Sequence, residues 1–243
     1  FLSSNLVEYV GAFVARDGPI TCHADISGQT RRPDAVWITG GVQASNFSWN
    51  AVPVDSAQAR FGYANGLWAV DDLTVTRPEG AVSGRLSGCA DGTTLAIDLT
   101  STADPLAIAR LIGPGVSAYL DGFHFVGPMR IAARGIVDYG TGALTDIRAE
   151  VDGREWGYAP FHLERGSLKA AYKNSRFDAT DIRGLAYEGD VSGQASFFPD
   201  AAGSNYCYSL SAKVADVNLN TLLQSLGYKG QEDYEGLIAS ECV

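Results

Sequence analysis

The sequence predicts an all-β chain with two short helices, and three observations carry that prediction. Apolar residues alternate with polar ones at a period of two, turn signals separate the alternating runs, and the pattern returns after about 110 residues. Alternation places every second side chain on one side of a strand, so each run reads as a strand with one apolar face. The repeat begins in Glu79-Gly80-Ala81-Val82-Ser83-Gly84, which returns as Glu188-Gly189-Asp190-Val191-Ser192-Gly193, an offset of 188 − 79 = 109. The same offset carries Tyr63 to Tyr172, Asn65 to Asn174, Trp68 to Phe177, Asp72 to Asp181 and Gly18-Pro19 to Gly127-Pro128. Trp49 and Pro53 match Trp156 and Pro160 at 107, which calls for a two-residue indel before Tyr63. The reading is therefore the end of a preceding repeat over 1–17, one copy over 18–126 and a second over 127–243.

Taken along the chain, Ala57, Ala59, Phe61 and Tyr63 form the first clear alternating run, closed by the hairpin signal Asn65-Gly66. Trp68 and Val70 then share one parity, whereas Leu73 and Val75 take the other. In the second copy Phe177 and Ala179 precede the same change and Ile182 follows it. An extra residue at Asp71-Asp72 and at Thr180-Asp181, a β-bulge, returns all of these side chains to one face. Further runs are Leu95, Ile97 and Leu99; Ile147, Ala149 and Val151; Leu168, Ala170 and Tyr172; and Tyr206 through Val214. Pro78-Glu79-Gly80, Asp91-Gly92, Gly140-Thr141-Gly142, Asp152-Gly153 and Ala202-Gly203 read as turns between them. Two segments break the strand pattern. Asp104-Pro105 opens a helix over 104–112 that ends at Gly113, and Asn218 or Asn220 opens one over 218–226 with Leu219, Leu222, Leu223 and Leu226 on one side.

Composition excludes several classes of function. Eighteen basic against 28 acidic residues leave a net charge of −10, unsuited to nucleic acid or to a polybasic membrane patch. Hydrophobic residues make up 46% of the chain, far too many for a disordered tail. No apolar run is long enough to span a bilayer as a helix. The chain opens without Met or a signal pattern and closes without a turn, so it reads as an excerpt of a longer protein. Cys22, Cys89, Cys207 and Cys242 show neither C-x-x-C nor zinc-ligand spacing; the sequence leaves any disulfide pairing open and reads most of them as small buried residues.

Nothing in the sequence reads as an enzyme. No nucleophile elbow, phosphate loop, metalloprotease helix or calcium loop is present. His23, His124 and His162 stand in three separate strand contexts and are expected to lie far apart, without an acid–base partner. No metal or cofactor is expected. Asp71-Asp72 beside Trp68 is the densest acidic spot, and it reads as bulge residues making local hydrogen bonds rather than as a glycosidase pair. The aromatics Phe47, Trp49, Phe61, Tyr63, Trp68, Trp156, Phe161, Tyr172, Phe177, Phe197 and Phe198 have two readings, an ordinary sandwich core or the lining of a lipid path.

The passage Tyr208 to Leu223, a strand, an aspartate and a short Leu-rich helix, resembles AsmA-like proteins, as does Gly66 to Leu86 with its closing Val82-Ser83-Gly84. The resemblance covers nearly all of the chain, without separating AsmA, TamB and YhdP types. It implies a periplasmic protein of a Gram-negative envelope, anchored to the inner membrane by a segment outside this sequence. It also implies an extended antiparallel sheet curled into a groove with an apolar interior. Such a groove would carry phospholipid or another envelope lipid between the two membranes, with outer-membrane proteins as further partners. Physical reasoning leads the same way: one helix of about ten residues per repeat covers little of an apolar sheet face, which must then be hidden against another sheet or hold acyl chains. The groove candidates are Phe61, Tyr63, Trp68, Val70, Leu73 and Val75, with Ala170, Tyr172, Phe177, Ala179 and Ile182 in the second copy. An adhesin-like surface repeat protein and a carbohydrate-binding β-sandwich are the alternatives.

Overall fold

The structure, a computed structural model, describes residues 13–29, 32–90, 92–113, 117–200, 205–228 and 237–242. The chain is all-β with two short helices, its strands pair antiparallel, and the sheet stays open rather than closing into a barrel. It divides into two units, Phe1–Asp121 with Asp138–Gly140, and Gly122–Val137 with Thr141–Val243. Among the described residues no helix is long and apolar enough to cross a membrane.

The first unit contains β1 (Phe13–Ala15), β2 (Ile20–Gln29), β3 (Arg32–Trp49), β4 (Val52–Ala64), β5 (Leu67–Arg77), β6 (Gly80–Cys89), β7 (Thr94–Ser101) and helix α1 (Pro105–Ile112). β1 and β2 lie end to end along one edge of β3, and β3 to β7 follow as successive hairpins. The second unit repeats this plan with β8 (Phe123–Phe125), β9 (Met129–Asp138), β10 (Asp146–Tyr158), β11 (Phe161–Lys173), β12 (Arg176–Ala186), β13 (Gly189–Pro199), β14 (Tyr206–Asn218) and helix α2 (Leu219–Ser225). β8 and β9 share the edge of β10 as β1 and β2 share that of β3. A last strand, β15 (Leu237–Cys242), pairs with β14.

The offset of 109 holds at element ends. β4 maps onto β11 (161 − 52 = 109 and 173 − 64 = 109), and β5 onto β12 (176 − 67 = 109 and 186 − 77 = 109). Two expectations change. The register pairs Phe13 with Trp49 and Phe123 with Tyr158, so Trp49 corresponds to Tyr158, and the Trp49–Trp156 match at 107 is a coincidence. The partner of Trp156 in the repeat is Phe47, so the two-residue indel before Tyr63 is not needed. A one-residue step falls instead between β1 and β3, since 123 − 13 = 110 and 158 − 49 = 109. β1 pairs with β3 inside the first unit, so Phe13–Ala15 belongs to the first copy rather than to a preceding one; residues 1–12 lie outside the described residues.

Local chemistry accounts for the remaining elements. The carboxylate of Asp104 accepts the Leu106 N–H at 3.0 Å, Pro105 opens α1, and Gly113 closes it at φ 147°. Asn218 caps α2 by accepting the N–H groups of Asn220 and Thr221. Asn65-Gly66 turns β4 into β5 with both residues at positive φ, and Asn174-Ser175 repeats that turn. Asp152-Gly153 is not a turn. It lies inside β10 with Gly153 opposite Met129 and Gly166, and a Cβ there would meet the Met129 sulfur at 2.0 Å. The glycine answers a packing need, which on sequence alone looks the same as a turn signal. Ala202-Gly203 lies outside the described residues.

Candidate functional site

The register assembles the apolar residues into one face per unit. In the first unit, row by row from β3 to β7, Ala44, Ala57, Val75, Val82 and Ser101 lie side by side; so do Gly40, Phe61, Val70, Leu86 and Ile97, and then Ile38, Tyr63, Trp68, Gly88 and Leu95. Leu73 joins them opposite Gly84, beyond the bulge. In the second unit Ile147, Tyr172, Phe177, Phe197 and Tyr208 make one row from β10 to β14, and Ala149, Ala170, Ala179, Ala195 and Leu210 make the next. Ile182 pairs with Gly193 on the same face. The eleven groove candidates therefore share a face within their own units.

Aromatic rings lie down on these faces where glycine gives them room. A Cβ at Gly40 would come within 2.6 Å of the Phe61 ring, and one at Gly88 within 2.9 Å of Trp68. Phe198 is different from the other aromatics: its parity puts it on the opposite face, where the Arg176 guanidinium stands 5.0 Å from its ring. Phe47 and Trp156 are buried, so they are core rather than surface lining.

The apolar faces are only partly covered. Among the described residues no large side chain is fully buried. In the first unit a small core of Ala44, Phe47 and Val54, joined by Phe13, Trp49 and Leu111 of α1, closes one end of the face. Asn50 ties the helix down by donating to the Leu111 carbonyl at 3.1 Å. In the second unit α2 buries none of its residues, and Phe197, Leu210 and Tyr208 stay 47%, 51% and 82% exposed.

The bulges sit where the parity change placed them. β5 slips against β6 between Val70 and Leu73, and β12 against β13 between Ala179 and Ile182. Asp72 and Asp181 both take φ 50°, a conformation aspartate tolerates better than most residues. Each bulge carboxylate pairs with a cation at the equivalent place on the neighbouring strand, Asp72 with Arg60 and Asp181 with Lys169 (2.7 Å). Both pairs lie on the polar face.

The polar faces differ between the units. In the first, beside the ion pairs Arg60–Asp72 and Arg85–Asp98, stand Thr39, Gln43, Gln58, Thr74 and Ser83. At the equivalent positions the second has Arg148, Asp152, Ser167, Arg183 and Ser192. There the Lys169 ammonium holds the Asp181 carboxyl below the ordinary carboxylate range, and the Lys173 ammonium does the same for Asp146. The Ser196 hydroxyl, together with Arg176, lowers Asp178. A depression of about 620 Å3, lined among others by Arg130, Glu150, Asp152, Lys169, Asp181 and Arg183, opens on this charged face.

The histidines depart from expectation. His124 Nε2 and His162 Nδ1 stand 3.5 Å apart, with the rings nearly parallel. The reason is topological: β8 and β11 flank β10, and both histidines pair with Gly157. The sequence hid this because a three-residue strand has too short a pattern to reveal its partner. His23 lies in the first unit, on the polar side of β2 opposite Gly41. Among the described residues no group of three or more His, Cys, Asp or Glu side chains is placed to hold a metal ion. Cys22, Cys89 and Cys207 are free thiols; Cys22 is exposed and the others half-buried, so none is the small core residue expected. No family model, curated protein or solved structure matches the chain.

Proposed function

We propose that this chain is a non-enzymatic segment of an AsmA-like protein of the Gram-negative periplasm. On this reading it carries phospholipid or another envelope lipid along the apolar faces of its sheet, within a longer protein anchored to the inner membrane. The observation that carries the reading is the apolar face itself: five strands wide in register in each unit, lined by Phe61, Tyr63, Trp68 and Val70 or by Tyr172, Phe177 and Ala179, and only partly covered. A soluble sheet seldom leaves such a face open unless something apolar occupies it. Acyl chains suit a surface with few polar groups, since they are held by buried area alone, at about 25 cal/mol per Å2.

The test is a photo-crosslinker at Val75, with lipid capture compared before and after Val70→Asp, and the same comparison for Ile182→Asp in the second unit. An unpaired carboxylate in an apolar path costs several kcal/mol, of order 2–7 by polar-group transfer. Capture is therefore expected to fall by at least tenfold while circular dichroism still reports a β-sheet. Undiminished capture in a folded variant would return these residues to an ordinary sheet surface.

A further inference from the structure

The pair of histidines in the second unit is not used by the lipid reading and has no counterpart in the first. The positions equivalent to His124, Gly157 and His162 are Val14, Ser48 and Pro53, joined by the same pairing across β1, β3 and β4. The fold thus builds this corner without histidine. In the second unit two imidazoles converge over Gly157, one of the two residues of β10 that have no side chain. A Cβ on Gly157 would meet the Phe161 carbonyl oxygen at 2.0 Å and both Cε1 and Nε2 of His124 at 2.7 Å, so the position takes only glycine. The strand bearing His162 is fixed there by its backbone N–H, which donates to the Tyr187 hydroxyl at 3.1 Å.

The ring centroids are 5.7 Å apart and the facing nitrogens 3.5 Å, with ring planes 8° from parallel. Both nitrogens therefore lie between the centroids and point at each other. A hydrogen bond between them would be longer than the usual limit of about 3.2 Å, so sharing a proton uses these nitrogens poorly. Two neutral imidazoles in this arrangement instead direct both lone pairs at one point. Bonds of about 2.0–2.1 Å from a metal to two nitrogens at this spacing subtend about 115–120°, close to tetrahedral. A pivot of about 30° at each ring achieves it, and χ2 of histidine is broad enough to allow that.

We infer that His124 Nε2 and His162 Nδ1 form a two-imidazole site for a divalent transition-metal ion of the zinc and copper class, with water in the remaining positions. Imidazole suits these ions. With two protein ligands the site is open and its affinity modest. The site is independent of the lipid reading, and either can fail alone.

The experiment adds Zn2+ alone to the 15N-labelled chain and follows the imidazole nitrogens by NMR. Expected are shifts at His124 Nε2 and His162 Nδ1 that saturate with one ion, while the nitrogens of His23 stay in place. His124→Gln and His162→Gln should each weaken binding at least tenfold. Following the nitrogens of the wild-type chain separates this site from zinc held by the thiols and does not depend on any variant folding. Nitrogens that stay unmoved up to about 1 mM Zn2+, the weak end of specific binding, would overturn the assignment. So would binding that is unchanged in folded His124→Gln and His162→Gln variants.

Discussion

The two units share one set of strands, one apolar face and the ion-paired bulge, yet differ at many positions of the polar face and at some hairpin ends. Phe61, Tyr63, Trp68 and Val70 become Ala170, Tyr172, Phe177 and Ala179, which keep the face apolar but make it smaller everywhere except at Tyr172. On the polar side Thr39, Gln43 and Thr74 become Arg148, Asp152 and Arg183. At the hairpin ends Asn50 becomes Ala159, Phe47 becomes Trp156, and Val14 with Pro53 becomes the histidine pair. The comparison teaches that parity on the apolar side and the bulge are what the fold requires. A one-residue slip would turn every apolar side chain to the wrong face, whereas a change of polar residue costs little.

The largest effect that would sharpen this comparison is expected at the buried end of the first unit. Phe47 is 7% exposed in the cluster that α1 closes, so Phe47→Ala should cost about 3–5 kcal/mol in urea unfolding. Next comes the bulge. Asp72 sits at φ 50°, where a β-branched residue is strained, so Asp72→Val should cost about 1–2 kcal/mol. Asp72→Asn tolerates that backbone and removes only an exposed ion pair, a change of about 0.2–1 kcal/mol. Equal costs for the two variants would mean that the backbone conformation is not what the bulge selects.

Helix docking separates the units next. Asn50→Gly keeps a residue suited to φ 47° but removes the bonds to the end of α1, and should cost about 0.5–1.5 kcal/mol. Hydrogen exchange should quicken in residues 105–112, with no change in 219–225. Trp156→Phe brings the second unit back to the aromatic type of Phe47. Because the buried indole N–H of Trp156 lacks a hydrogen-bond partner, its removal should change stability by less than about 1 kcal/mol.

The smallest effect is a response to pH on the charged face. Asp146, Asp178 and Asp181 are held below their ordinary value of 3.8 by partners present only in the folded chain. Their contribution is therefore full above that value and fades as the pH falls through the lowered folded values. Lys169 is raised above 10.5 by Asp181, so its share is full below 10.5 and fades at higher pH. Acid unfolding followed by hydrogen exchange of residues 146–183 should begin at a higher pH in the 0.5 M salt that screens these pairs, since screening weakens them. An onset that salt leaves unmoved would show that these pairs do not distinguish the second unit.

What the sequence determined by itself is whatever a local pattern encodes: the alternating strands, the capped helices at Asp104 and Asn218, and the bulges at Asp72 and Asp181. The parity change marks a bulge on one strand without reference to its neighbours, and a cap needs only the residues of its own turn. Tertiary structure decided what depends on pairing between distant strands. Gly153 reads as a turn until Met129 is laid across it, and Trp49 matches Trp156 until the register aligns it with Tyr158. His124 and His162, 38 residues apart, meet only because two different strands flank Gly157. A strand pattern specifies which way a side chain points but not which strand lies beside it, and these contacts depend on that neighbour.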